Sequence, residues 1–443
     1  MDDTNKTMLT DLYQLTMNAA YVFNRKDDPA TFDLYIRSLP EGWGYFIANG
    51  IEDAVDYVTS IRFTDDDIAY LAGQGFSESY LDFLKGFRFE GSIHAVREGT
   101  PVFPQEPLVR VTARRTQAQY VETTLLNIIN FQTMIASKTS RVVNAAAPAC
   151  VIDFGLRRAQ EEDAGMKGAR AAYLAGAIAT SNVKAGKLYG IPVAGTHAHS
   201  FIMSFQNELD AFRAYVKTFP ERPTLLIDTY DTVQGARNAA VIAAELEQEH
   251  KKLGAVRLDS GNLAELAKAV RSIFDAAGFG YVKIFASNDL NEYRIDELKN
   301  RSAPIDSYGV GTELITAKPV AAIPGVYKLA EDTQGAKIKL SEGKGTLPGK
   351  KQIYRQTDDR GIRTGDIIAL ADETIGGEPL LEPVIRDGAR VRPRPTLTET
   401  RACCLEAVSR LPDRIKTVAA GDYPVALSPG LRALRERLAA HYG

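Results

Sequence analysis

The segment GTHAHSF (195–201) contains two histidines, His197 and His199, only two residues apart. Such a pair could bind a metal ion, carry out acid–base or nucleophilic chemistry, or form an ordinary turn. The remaining histidines lie in poor positions to supply a third zinc ligand: His94, His250 and His441. Zinc is therefore disfavoured, whereas a neutral imidazole is a good nucleophile near pH 7.

Charged side chains cluster where apolar, strand-like runs end. The carboxylates are Asp153, Asp228, Asp231 and Asp259, and the guanidinium groups are Arg157, Arg158 and Arg257. Arginines beside Gly- and Ser-rich helix starts favour a phosphate-bearing ligand, which free backbone N–H groups can also bind. Carboxylates near phosphates imply Mg²⁺, held largely through the substrate and water, with direct protein ligands left unassigned.

The elements that must position these side chains repeat one plan between about residues 148 and 315. A short apolar run ends in polar or Gly residues and is followed by a helical pattern; the runs are ACVIDFG, GIPVAGTHAH, PTLLIDTYD, AVRLDSG, VKIFASND and DSYGVGT. Six βα units fit a TIM-like barrel or a doubly wound sheet, and in both the active site lies beyond the carboxyl ends of the strands. The barrel is favoured because one rim gathers all six ends.

The rest of the chain predicts a second, mixed domain. Residues 1–115 combine strands and short helices as an α+β domain, and residues 116–320 form the barrel, which opens with a Thr cap in TQAQ (116–119). Residues 321–443 contain hairpin-like strands and two closing helices, which we expect to pack on both.

Composition excludes several classes of protein. The chain has 443 residues, 45% apolar and 25% charged, with a formal net charge of -3, which does not predict nucleic-acid or membrane binding. Three cysteines build neither a disulfide framework nor CxxC zinc spacing, and the polar start resembles no signal peptide, so a cytoplasmic location is expected. GVGT lacks the Rossmann spacing GxGxxG, and GKGTLPGKK lacks the P-loop spacing.

An ordered set of motifs along nearly the whole chain resembles the nicotinate phosphoribosyltransferases, which are type II phosphoribosyltransferases. The motifs are TDLYQLTM, FGLRRAQ, TSNV, GTHAHSF, VRLDSG, ASND, YGVGT with GVYKL, and LPGKKQIYR. The resemblance implies an α/β fold, an irregular TIM-like barrel with a second α+β domain built from the N-terminal region and parts of the C-terminal region. It also implies an ATP-dependent, ligase-class enzyme of NAD salvage, which forms nicotinate mononucleotide and diphosphate from nicotinate and 5-phosphoribosyl 1-diphosphate through a phosphohistidine.

The resemblance carries roles onto particular residues. His199 matches the phosphorylated histidine, and Thr196 and Arg257 match contacts to nicotinate. An arginine suits this task because it can pair bidentately with a carboxylate. Phe154 matches a ring stacked on the pyridine, and Tyr13 matches a tyrosine from the other subunit of a homodimer with shared active sites.

Further matches concern the phosphoribosyl group. Arg157 resembles a contact to the diphosphate or ribose phosphate, and the 5-phosphate would be held by backbone N–H groups of the loops that contain Ser287, Asn288, Gly309, Gly311 and Thr312. Asp259 is expected to stabilise positive charge at ribose C1 in the transition state, and a preorganised group of that kind is worth roughly 2.7–4 kcal/mol. ATP as a co-substrate and Mg²⁺ as a cofactor are also expected.

Two alternative functions stay open at this point. A nicotinamide-specific relative shares the fold but has an Asp in the segment that matches TSNV; here Ser181 or Asn182 stands there, which favours nicotinate because an acid would repel a carboxylate. A noncatalytic phosphoribosyl or nucleotide sensor is the second alternative. His197 is interpreted as a bystander, either behind the site or at the surface.

Overall fold

Several helices begin after a capping residue whose side chain accepts a hydrogen bond from a free backbone N–H of the first turn. Thr396 and Glu399 form a reciprocal capping box. Asn182, Asp231 and Asn291 cap helices that each follow a strand by a few residues. Since such caps typically stabilise a helix by about 1 kcal/mol, they fix where the chain leaves a strand end and turns into a helix.

The structure is a computed structural model and describes residues 5–442. Its α-helices are α1 Leu12–Phe23, α2 Ile51–Ser60, α3 Asp65–Gly73, α4 Glu78–Lys85, α5 Arg115–Tyr120, α6 Glu122–Ala146, α7 Glu161–Leu174, α8 Val183–Tyr189, α9 His199–Met203, α10 Glu208–Thr218, α11 Thr232–Gln248, α12 Leu263–Ala276, α13 Glu292–Asn300, α14 Thr312–Ile315, α15 Leu397–Ser409, α16 Asp413–Lys416 and α17 Pro429–Tyr442. Leu156–Arg158 form a short 3-10 turn. None of the helices in this part of the chain combines the length and hydropathy needed to cross a bilayer.

The strands lie between these helices along the chain. They are β1 Pro29–Ile36, β2 Phe46–Ile47, β3 Ser92–Ala95, β4 Pro101–Val102, β5 Pro107–Arg114, β6 Cys150–Asp153, β7 Ala179–Thr180, β8 Thr224–Leu226, β9 Ala255–Leu258, β10 Lys283–Ala286, β11 Ser307–Val310, β12 Gly325–Asp332, β13 Gly335–Ala336, β14 Lys351–Thr357, β15 Arg363–Leu370, β16 Glu378–Pro379, β17 Glu382–Arg386, β18 Ala389–Arg390 and β19 Val425–Leu427.

One compact unit, Lys138–Ala321, contains a parallel sheet in the order β7-β6-β11-β10-β9-β8. All neighbouring pairs in this sheet are parallel, and each strand is followed by a helix. Strand residues such as Val256, Ile284 and Val310 are fully buried, as expected for strands covered on both faces. The predicted α/β class is confirmed, in the form of a parallel half-barrel.

The prediction of a strand in GIPVAGTHAH was wrong. That segment makes a single parallel bridge, Val193 to Thr180, and then leaves the sheet. Pro192 has no N–H to donate, so only its carbonyl pairs with the Thr180 N–H. The sixth parallel strand is instead β7, which was not predicted because its two residues continue an Ala-rich helical pattern. Among the described residues, no strand joins β7 to β8.

The other compact unit combines the residues up to Ser137 with those from Ala322 onward. Its seven-stranded sheet, in the order β13-β12-β1-β5-β3-β17-β18, pairs strands from both parts of the chain, and β14, β15, β16 and β19 form a second sheet. The pair β1 and β12 is antiparallel from Ala30 opposite Asp332 to Ile36 opposite Gly325, with one register shift between Thr31 and Phe32. The division between the two units falls inside α6, whereas the boundary predicted from the sequence lies at 115/116, where α5 begins.

Candidate functional site

The carboxyl ends of β6, β9, β10 and β11 meet around one pocket. These four strands are neighbours in the parallel sheet, so the residues that follow them lie side by side. The pocket is lined by Phe154, Arg157, Arg158, Arg257, Asp259, Ser287, Asn288, Asp289, Leu290, Gly309, Gly311 and Thr312. Residues from four separate motifs thus come together at one rim.

Arg257 is held by hydrogen bonds at each of its three guanidinium nitrogens. Nε donates to Ser287 Oγ at 2.8 Å, Nη1 to Thr196 Oγ1 at 3.3 Å and Nη2 to Asp259 Oδ1 at 2.8 Å. A guanidinium has five N–H donors, so each terminal nitrogen keeps a second N–H. Arg257 is therefore oriented by its own unit and still able to donate to a ligand.

Asp259 connects Arg257 to the histidine segment. Its Oδ1 also accepts a hydrogen bond from Ser287 Oγ at 2.5 Å, and its Oδ2 lies 3.9 Å from His199 Nε2. Its backbone N–H donates to Asp228 Oδ2 at 2.8 Å, which fixes the turn after β9. The carboxylate is 28% exposed, so one face remains open to a ligand.

Two aromatic rings form the apolar wall beneath Arg257. Phe154 and Phe285 meet edge to face with ring centroids 5.4 Å apart, and the guanidinium carbon of Arg257 lies 5.4 Å from the centre of the Phe154 ring. A Cβ at Gly309 would come within 2.8 Å of Phe285 Cζ and 2.9 Å of Phe154 Cδ2. Glycine at 309 therefore leaves room for both rings.

The loop after β10 has an unusual backbone. Asn288 and Asp289 both adopt positive φ angles, 87° and 45°. Asn and Asp tolerate this region better than other side-chain-bearing residues. The loop holds both residues at the pocket rim, and Asn288 is the one predicted from the sequence to lie in a phosphate-binding loop.

The two histidines of the 195–201 segment have different surroundings. His199 begins α9, its side chain is 41% exposed, and its Nδ1 lies 3.2 Å from Thr229 Oγ1. His197 is 8% exposed, and burial lowers the pKa of its imidazole to about 4. The surface position considered for His197 was wrong, because its ring packs against Tyr215 at 4.6 Å.

Comparison with known proteins points to one family along almost the whole chain. Residues 8–130 match the nicotinate phosphoribosyltransferase N-terminal domain, residues 150–339 the nicotinate phosphoribosyltransferase family, and residues 376–435 the nicotinate phosphoribosyltransferase C-terminal domain. Nicotinate phosphoribosyltransferase pncB2 of Mycobacterium tuberculosis is 42% identical over 425 residues, covering 95% of this chain and 91% of that protein.

The chain belongs to the nicotinate phosphoribosyltransferase family. The resemblance inferred from the ordered motifs is thereby confirmed. Nicotinate phosphoribosyltransferase of Bacillus subtilis is also 42% identical, over 392 residues that cover 86% of this chain and 79% of that protein. The crystal structure of human nicotinic acid phosphoribosyltransferase covers 97% of this chain and 99% of its own, with a TM-score of 0.85 and 29% identity.

Within this family member, four predicted site residues lie outside the pocket lining: Tyr13, Ser181, Thr196 and His199. Tyr13 is on α1 in the other unit and is 46% exposed. Ser181 follows β7, where its N–H donates to the Asp153 carbonyl. Its neighbour Asn182 is buried, and its side chain caps α8 and donates to the Gly165 carbonyl. Of the two alternatives in TSNV, only Ser181 is thus left for a contact to the base.

Two residues that build the site, Phe285 and Thr229, were not predicted from the motifs. Phe285 lies in VKIFASND, and its signal was alternation: as a strand residue two before Ser287, it points to the same side of the sheet. Asp228, which was predicted as one of the strand-end carboxylates, accepts hydrogen bonds from the Asp259 N–H and Ser260 Oγ. Thr229 had no signal of its own, because its contact to His199 joins two separate motifs.

Acidic groups near the pocket do not form a ready metal cage. No group of three or more His, Cys, Asp or Glu side chains suited to a metal ion occurs within residues 5–442. Asp228 Oδ1 is buried without a hydrogen-bond partner, and Asp228 Oδ2 already accepts two hydrogen bonds. The donor set therefore fits an ion that arrives with a phosphate-bearing substrate better than a resident one.

Proposed function

We propose that this chain forms nicotinate mononucleotide and diphosphate from nicotinate and 5-phosphoribosyl 1-diphosphate, a reaction of NAD salvage. The observation that carries the proposal is the position of Arg257, which keeps free N–H donors above an aromatic wall and next to Asp259. A flat ring with a carboxylate matches this arrangement. Membership of the nicotinate phosphoribosyltransferase family supports the same substrate.

Nicotinate binding would use three features of the pocket. The two remaining terminal N–H groups of Arg257 would pair with the carboxylate. The Thr196 hydroxyl, which accepts from Arg257 and donates to the His197 carbonyl, would turn its O–H toward the same group. The pyridine ring would stack on Phe154. The lack of an acid at Ser181 would favour the nicotinate anion over nicotinamide.

Transfer would proceed by attack of the pyridine nitrogen on ribose C1. The nitrogen lone pair forms the new bond while the C1–oxygen bond breaks, and diphosphate leaves with that electron pair. Positive charge develops at C1 in the transition state, where the open face of Asp259 would stabilise it. Nicotinate needs no general base, because its ring nitrogen carries no proton.

Phosphate binding would fall to the glycine-containing rim. Arg157 would contact the diphosphate, and the loops with Ser287, Asn288, Gly309, Gly311 and Thr312 would offer backbone N–H groups to the 5-phosphate. Mg²⁺ bound to the phosphates would lower the charge of the leaving diphosphate.

ATP hydrolysis would pass through His199. If Nδ1–H donates to Thr229 Oγ1, Nε2 keeps a free lone pair and lies 3.9 Å from Asp259 Oδ2. Nε2 would attack the γ-phosphorus of ATP, with ADP as the leaving group, and water would later cleave the labile N–P bond. Coupling of this kind makes the enzyme ligase-like and a phosphoprotein.

The active form would be a homodimer in which Tyr13 of one subunit completes the site of the other. Exposure of Tyr13 on α1 is compatible with this role. The cytoplasm is the proposed compartment, in keeping with only three cysteines in the chain.

Labelling with γ-labelled ATP tests the phosphohistidine. We expect acid-labile, base-stable label on the wild type, none on His199→Ala, and label on a half-buried control, His94→Ala. Label that persists on His199→Ala at wild-type stoichiometry would show that another residue accepts the phosphoryl group.

A further inference from the structure

The parallel half-barrel has an opening between its two edge strands. At the β7 edge, the Thr180 N–H and carbonyl pair with the Pro192 carbonyl and the Ala194 N–H. At the β8 edge, the N–H of Leu226 donates to a side chain, Nε2 of His197, at 3.3 Å. The segment from Val193 to His197 therefore spans the opening, attached by backbone at one end and by an imidazole at the other.

The surroundings of His197 hold its ring in this position. The ring centroid lies 4.6 Å from that of Tyr215, 5.4 Å from that of Phe201 and 6.3 Å from that of Phe212. Burial among these rings lowers the pKa of the imidazole to about 4, so it is neutral near pH 7 and keeps a lone pair for the Leu226 N–H. The proton then resides on Nδ1.

Thr196 and His199, which lie on either side of His197 in the motif, touch the candidate site. Thr196 Oγ1 donates to the His197 carbonyl at 3.1 Å and accepts from Arg257 Nη1. His199 contacts Thr229, three residues beyond Leu226. The two histidines are thus attached to the same stretch at the carboxyl end of β8, one through a backbone amide and one through a hydroxyl group.

We propose that His197 is a positioning residue that closes the half-barrel and sets the place of its neighbours. By accepting the Leu226 N–H, it fixes segment 195–201 against β8, which presents Thr196 to Arg257 and His199 to Thr229. The consequence for phosphoryl transfer rests on the proposed phosphohistidine. The consequence for Thr196 and nicotinate binding is independent of ATP.

Two substitutions separate the hydrogen bond from packing. His197→Leu keeps much of the volume but removes the acceptor, and His197→Gln places an amide oxygen near the position of Nε2. We expect His197→Leu to lower both kcat/KM for nicotinate without ATP and label from ATP by roughly tenfold or more, because a buried N–H loses its partner. His197→Gln should stay within about threefold of the wild type by the same reasoning. His94→Leu, on β3 of the other unit, controls for loss of a half-buried histidine.

Amide hydrogen exchange of Leu226 gives a readout on the native chain. We expect slow exchange in the wild type and in His197→Gln, and faster exchange in His197→Leu. Fast exchange of this amide in the wild type overturns the proposal, even if His197→Leu fails to fold. Equal loss of kcat/KM in the Leu and Gln variants at equal Tm also overturns it, since the acceptor would then not matter. Absence of ATP label on the wild type refutes the phosphohistidine alone, while nicotinate kinetics and amide exchange still decide the role of His197.

Discussion

At the scale of single residues, Arg257 connects three other residues of the candidate site. It donates to Ser287, Thr196 and Asp259 while its planar group lies over Phe154. The sequence predicted Arg257 and Asp259 because both stand at the end of a strand-like run. It could not predict their mutual hydrogen bonds or the part played by Phe285, since these depend on how neighbouring strands are aligned.

Replacing Arg257 by Lys should raise KM for nicotinate by roughly tenfold or more, because a single ammonium group cannot hold three partners and also pair bidentately with a carboxylate. Steady-state kinetics measure this, with Arg213→Lys as a control, an exposed arginine that pairs with Glu245. An unchanged KM in Arg257→Lys would mean that the carboxylate binds elsewhere.

The buried imidazole of His197 predicts a pH dependence of stability. Its pKa falls from an ordinary 6.5 to about 4 in the folded chain, so between these values the unfolded state binds more protons. The free energy of unfolding should therefore decrease as pH falls from about 6.5 to about 4, and by less in His197→Gln. His94 has a pKa lowered in the same direction but remains in both proteins, so it cancels in the comparison. Urea unfolding of both proteins across this pH range measures the free energy of unfolding. Parallel curves of this free energy against pH for the wild type and His197→Gln would contradict the prediction.

At the scale of elements, glycines and strand ends decide the shape of the pocket. Gly309 was expected from its motif to serve a phosphate, and the structure adds a packing reason for it: a side chain there would meet Phe154 and Phe285. The βα plan between residues 148 and 315 was predictable from alternating apolar runs and helix starts. The two-residue strand β7 was not, because so short a run carries no period of its own.

Gly309→Ala should raise KM for nicotinate by roughly fivefold or more, because overpacking of this kind costs about 1–3 kcal/mol and would displace the rings of the wall. Gly73→Ala is the matched control, since a Cβ there meets no atom within 4 Å. Kinetics and Tm of both variants are compared. The assignment of the wall fails if Gly309→Ala binds nicotinate as the wild type does.

For the whole molecule, the sequence predicted that both ends of the chain contribute to one α+β unit only through its resemblance to a family. Pairing of β1 with β12 joins residues about 300 positions apart, and no local pattern predicts such a contact. The same holds for the division inside α6, because a continuous helix gives no signal of a boundary.

The proposed shared active site predicts complementation between subunits. Tyr13→Ala and Arg257→Ala should each be nearly inactive as homodimers. A mixed dimer has one intact site and one doubly altered site, so refolding or coexpression of equal amounts should restore roughly a quarter of wild-type activity. Activity of the mixture is compared with the mean of the two variants. If mixing restores nothing while mixed dimers form, each site is built from a single subunit.

Choice between the two pyridine bases tests the central claim most directly. The purified chain is given 5-phosphoribosyl 1-diphosphate, Mg²⁺ and equal concentrations of nicotinate and nicotinamide, with and without ATP, and the two mononucleotides are quantified. Because Arg257 keeps donors for a carboxylate and no acid stands at Ser181, we expect nicotinate mononucleotide in large excess. Predominant nicotinamide mononucleotide, or no mononucleotide at all under either condition, would contradict the account.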